Sequence, residues 1–136
     1  MNENKLTHLE FIQDVITRMN SNSFLIKGWS VTLVAAIFAL ATKDADLKYA
    51  IIAYIPVIVF WILDGFFIAQ EKQYRELYKE VAGKSETDID FSMDTSKWNT
   101  NGRTWAAGIF TKTLIPFHGA LFVVVSIVML VMPCFK

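Results

Sequence analysis

Apolar positions along this chain gather into three runs. The first covers 24–42, 19 residues broken only by Lys27. The second covers 49–70, 22 residues broken only by Asp64. The third covers 113–133, 21 residues with His118 as its one titratable group. A helix that crosses a bilayer needs about 20 mostly apolar residues. Backbone polar groups find no partner in lipid, so such runs must be helical. A soluble helix of this length carries a charged stripe, and none of the three has one. The pattern predicts an all-α membrane protein with three transmembrane helices in a single membrane domain spanning 1–136.

Two further helical segments flank these runs. Leu6, Leu9, Ile12, Ile16 and Met19 fall three or four residues apart, on one helical face that Phe11 and Val15 widen. Glu10, Gln13, Asp14, Thr17 and Arg18 take the other face. This predicts an N-terminal amphipathic helix over 5–19, packed on protein or lying in the membrane interface. Asn20, Ser21, Asn22 and Ser23 then offer N-cap oxygens for the first spanning helix. The second run does not stop at its apolar end. No Gly or Pro occurs between Gln70 and Gly83, and Glu71/Arg75 and Lys72/Glu76 are favourable i,i+4 pairs. Phe67, Tyr74, Leu77, Tyr78 and Val81 continue an apolar seam, and Gly83 stands where a C-cap belongs. One helix from about 48 to 82 would be roughly 50 Å long. Within it, Pro56 predicts a kink. Residues 83–112 read as a connection, with a polar loop over 84–104. Trp98 and Trp105 suggest that 98–110 returns along the membrane surface as a short helix.

Charge sets the orientation. Lys5, Arg18 and Lys27 lie on the same side as Lys72, Arg75, Lys79, Lys84, Lys97, Arg103 and Lys112; Lys43, Lys48 and Lys136 lie on the other. Ten against three places the N-terminus and 71–112 in the cytoplasm, with the C-terminus outside. Residues 1–22 lack a short apolar core with a cleavage site, so the first helix is expected to be an uncleaved anchor.

Composition agrees. Of 136 residues, 54% are hydrophobic and only 19% charged, against about 25% charged in average chains. The net charge is zero, so bulk electrostatics gives no reason to expect nucleic acid as a direct partner. A single cysteine, Cys134, excludes an intrachain disulfide framework and a paired-cysteine zinc site.

Each spanning run holds one ionisable residue, and such residues are expensive in lipid. Across a hairpin turning at 45–46, facing residues have numbers adding to about 91, as 27 and 64 do. His118 lies five residues into the third run, again toward the inner side. The three form a candidate intramembrane polar layer of Lys27, Asp64 and His118. Each is followed by glycine (Gly28, Gly65 and Gly119), which lets helices approach closely. The layer reads either as a lock fixing helix register or as the lining of a hydrated pore. Lys27 could also snorkel to the interface. A three-helix monomer has little interior in which to hide Asp64, which argues for assembly. No nucleophile–base motif, HExxH or Cys/His cluster is present. No catalytic, cofactor-binding or metal-binding residue is assigned, no cofactor is expected, and the chain is not expected to be an enzyme.

Trp61-Ile62-Leu63-Asp64-Gly65-Phe66-Phe67, followed by Glu71, Tyr74-Arg75 and Leu77-Tyr78, reads W-x-x-D … E-x-x-Y-R-x-L-Y. With Phe24-Leu25-Ile26-Lys27-Gly28-Trp29 before it, the pattern resembles the RipA-like family of small bacterial membrane proteins. It is also similar to the membrane accessory protein of Cas13b CRISPR systems. The resemblance covers about 40 residues. It implies an inner-membrane homo-oligomer, in one form an octamer, that acts as a pore or supports stress or phage defence. It assigns structural roles to Asp64, Glu71, Tyr74 and Arg75, and Tyr78 shares that motif. The function expected is a homo-oligomeric, pore-forming or membrane-perturbing protein of the bacterial inner membrane. The alternatives are a non-conducting scaffold that anchors a cytoplasmic protein, and a small transporter.

Overall fold

The computed structural model describes residues 2–44 and 46–135; Ala45, at the turn expected from the sequence, and Lys136, counted from the sequence among the outward charges, lie outside them. All regular structure among the described residues is helical. Helix α1 (Glu3–Asp44) and helix α2 (Leu47–Gly83) form a long antiparallel hairpin. A short helix α3 (Trp105–Ile109) and helix α4 (Leu114–Val131) follow. Helix α2 is central, with α1, α3 and α4 all packed on it. Three helical segments are long and apolar enough to cross a membrane: α1, α2 and Leu114–Cys134.

Helix α1 is continuous where the sequence suggests a break at 20–23. No Gly or Pro interrupts the chain before Gly28. Ser23, expected as a cap, is buried and turns its hydroxyl to Asp64 of α2 instead. The start of α1 is capped by Asn2, whose side chain accepts from the Lys5 backbone N–H at 2.9 Å. Glu3 in the first turn and Lys43 in the last both suit the helix dipole. Helix α2 starts on Asp46, which accepts from the Lys48 N–H, and runs through Pro56 without ending. It stops at Gly83, where Lys84 N–H closes onto the Val81 carbonyl at 3.1 Å.

The hairpin has two apolar cores. At the polar end, Leu9, Ile12 and Ile16 of α1 meet Leu77 and Val81 of α2, with Tyr74 and Tyr78 alongside. At the far end, Val34, Ala53, Val57 and Val125 join α1, α2 and α4. The large apolar side chains left exposed, such as Phe24, Leu25, Trp29, Ile55 and Leu130, lie on the outward faces of the three candidate spans. Lipid would cover them.

The 84–104 connection is tied down rather than loose. Ile89, Met93 and Trp98 close the polar-end core. His8 Nε2 lies 2.9 Å from the Ser92 carbonyl, and Lys5 donates to the Lys84 carbonyl at 3.0 Å. Gln73 donates to the Arg103 carbonyl at 2.8 Å and accepts from Thr95 at 3.2 Å. The expected 98–110 helix is therefore divided. Trp98 ends a turn (Ser96–Trp98) inside this core, and only Trp105–Ile109 forms the helix.

Two aspartates shape that connection. The Ser92 N–H donates to Asp90 and the Ser96 N–H to Asp94, and these bonds hold both carboxyls below the usual aspartate range. A lowered folded pKa stabilises above the unfolded value of about 3.9 and is lost as pH falls through the folded one. Hydrogen-exchange protection of 84–104, corrected for intrinsic rates, should be flat from pH 7 to about pH 5 and fall below about pH 4. Protection that instead fell between pH 7 and 5 would contradict this assignment.

Candidate functional site

The three ionisable residues of the apolar runs meet at one place between the two cores. Ser23 and Lys27 sit one turn apart on α1, Asp64 faces them from α2, and His118 arrives from the first turns of α4. Lys27 Nζ lies 2.7 Å from Asp64 Oδ2 and donates to Ser23 Oγ at 2.7 Å. Ser23 Oγ in turn donates to Asp64 Oδ1. His118 Nε2 stands 2.8 Å from Asp64 Oδ2. Asp64 and His118 are fully buried, and the Lys27 side chain is 19% exposed.

A carboxylate only accepts, so Asp64 pairs with all three groups when Nε2 of His118 carries a proton. The charges of Lys27 and Asp64 cancel, and a neutral His118 adds none. His118 Nδ1 and the Ser30 hydroxyl are buried without a hydrogen-bond partner among the described residues. Trp61 lies flat on His118, with ring centroids 5.8 Å apart and planes 12° apart. Ser, His and Asp are present as types, but both Ser23 and His118 bond to Asp64. The imidazole does not stand between the hydroxyl and the carboxylate, so nothing takes the serine proton as a catalytic triad requires. Among the described residues no group of three His, Cys, Asp or Glu side chains converges as a metal site.

The glycines divide. A Cβ added to Gly65 would lie 2.8 Å from the Ile109 nitrogen, and one on Gly108 would lie 2.1 Å from the Gly65 carbonyl oxygen. Helix α3 therefore touches α2 backbone to backbone beside Asp64. Two indoles clamp the contact: Trp61 donates to the Ile109 carbonyl and Trp105 to the Ile62 carbonyl, both at 2.8 Å. A Cβ on Gly28 or Gly119 would meet nothing within 4 Å in this chain.

The structure buries Asp64 completely within one chain. The sequence argument that Asp64 needs a neighbouring subunit to hide it therefore fails: α1 and α4 close over it from both sides. Glu71, Tyr74, Arg75 and Tyr78 lie on the polar extension of α2. Arg75 pairs with Glu71 at 2.6 Å, and the tyrosines pack on the polar-end core. Ser23, Trp61 and Gly108 are site residues the sequence reading missed. Ser23 could have been found by its i,i+4 relation to Lys27. Gly108 gave no comparable signal, because its partner Gly65 is far away in sequence. Comparison of the chain with known protein families, curated proteins and solved structures finds no match.

Proposed function

We propose that this chain is a non-catalytic, multi-pass protein of the bacterial inner membrane that acts as a scaffold. In this reading Lys27, Asp64 and His118 lock the three spanning helices together. The paired polar ends of α1 and α2 stand in the cytoplasm and present a surface to a protein partner. The observation that carries the reading is the burial of this layer: Asp64 is fully buried, and Ser23, Lys27 and His118 satisfy its carboxylate. A layer that lined a conducting axis would leave its carboxylate open to it, whereas here only the Lys27 side chain is partly exposed. The two-helix stalk has its own core of Leu9, Ile12, Ile16, Leu77 and Val81, which supports a docking surface carried on it.

A homo-oligomeric pore, in one form an octamer and serving stress or phage defence, is the second reading. It draws on the motif resemblance and on Gly28 and Gly119, whose open surroundings leave room for the helix of another copy. Ion flux in liposomes separates the two. The scaffold reading expects no flux above empty liposomes at any particle size. Flux that rises with the amount of protein would overturn it in favour of the pore.

A further inference from the structure

A groove of about 680 Å³ opens where the polar extensions of α1 and α2 meet the 101–103 loop. Lys72, Arg75 and Lys79 line it from α2. Their spacing of three and four residues puts them on one helical face. Arg103 closes the groove from the loop, and Glu76 is its single acidic lining residue. Glu76 accepts from Lys79 at 2.9 Å and stands 3.7 Å from Arg103, so it draws the loop cation toward the helix cations. Arg75 is held by Glu71 at 2.6 Å. Lys72 makes no ion pair among the described residues. Four cations against Glu76 in the groove and Glu71 beside it leave the groove with an excess of positive charge.

The height of the groove identifies its occupant. Lys72 is eight residues beyond Asp64, roughly 12 Å along the helix, and the apolar run of α2 ends at Gln70. The cations thus begin about half a turn past the apolar run, where the phosphates of a surrounding bilayer would lie. Ile16 and Tyr78 add apolar wall on the side of the groove away from the span. The volume lies within the range of small-ligand sites, roughly 300–1,000 Å³. We propose that this groove binds the phosphate of an anionic phospholipid headgroup, with Lys72, which has no ion pair among the described residues, and the loop cation Arg103 as its main contacts. Basic pockets at the ends of membrane helices bind such headgroups, and each cation near the surface favours an anionic lipid.

The test uses the purified full-length chain in detergent, titrated with short-chain phosphatidylglycerol, short-chain phosphatidylcholine or inorganic phosphate. Binding is read as a rise in the thermal midpoint. Phosphatidylglycerol should stabilise at concentrations where the other two do not. Lys72→Gln should weaken that binding roughly fivefold, and Lys72→Gln with Arg103→Gln roughly twentyfold. Lys43→Gln with Lys48→Gln removes equal charge at the opposite end of the hairpin and should leave the affinity unchanged. The single Lys72→Gln variant keeps the test intact if the double variant does not fold. Equal stabilisation by phosphatidylcholine overturns the proposal. So does inorganic phosphate matching the lipid, which would make the groove a site for soluble phosphate. Equal losses in the two double variants would reduce it to general charge attraction.

Discussion

Lys27→Met should destabilise the folded chain by about 3–5 kcal/mol, because it strands a buried carboxylate. Asp64 is fully buried, and without Lys27 it keeps only the hydroxyl of Ser23 and the imidazole of His118. The reverse change should cost less. Asp64→Asn leaves Lys27, which is partly exposed and still bonded to Ser23, free to carry its ammonium toward the polar surface. The double variant should recover part of the loss, since replacing both members of a buried pair by uncharged groups is often nearly neutral. A double-mutant cycle on resistance to denaturing detergent reads all three. Strictly additive losses would show that the pair does not exist in the membrane.

Gly108→Ala should cost less, about 1–3 kcal/mol, the range found for overpacked cores. The added methyl would lie 2.1 Å from the Gly65 carbonyl oxygen, and backbone cannot rotate away as a side chain can. Helix α3 must lift, which breaks both indole bonds and uncovers Trp61 above His118. The change should appear as a red shift of tryptophan emission and faster proteolysis within 84–112. Gly28→Ala and Gly119→Ala serve as the comparison. Each has open space in this chain, so each should be neutral or gain up to about 1 kcal/mol of helix propensity. A loss at either that matched Gly108→Ala would mean that another copy of the chain packs there.

The parts of this fold that could be read from the sequence follow from simple geometry. Lipid forces each apolar run into a helix, and a tight hairpin matches depths on its two arms, so Lys27 and Asp64 could be placed opposite each other by number alone. His118 could be assigned a depth but not a partner. The absence of Gly and Pro between Gln70 and Gly83 was enough to extend α2. The reading failed where polar residues serve two purposes. Asn20 to Ser23 have the chemistry of a cap, yet α1 runs through them because Ser23 gains a buried acceptor in Asp64. Of the three glycines singled out, only Gly65 is in close contact within the chain. The 84–104 connection looked like a loop because its order comes from distant partners, His8, Gln73 and Lys5, which no local pattern reveals.

The central claim is that Ser23, Asp64 and His118 of the polar layer are closed off from water within one chain, and cysteine accessibility tests it most directly. In a Cys134→Ser background, Ser23→Cys places a thiol of nearly the same size within the cluster, at a position only 4% exposed. Ser21→Cys places one a short distance away on the exposed face of the same helix. In permeabilised membranes, a charged, membrane-impermeant thiol reagent should label Ser21→Cys and leave Ser23→Cys unmodified. Labelling of Ser23→Cys at the rate of Ser21→Cys would mean that water reaches the layer, and the sealed lock would have to give way to a hydrated path.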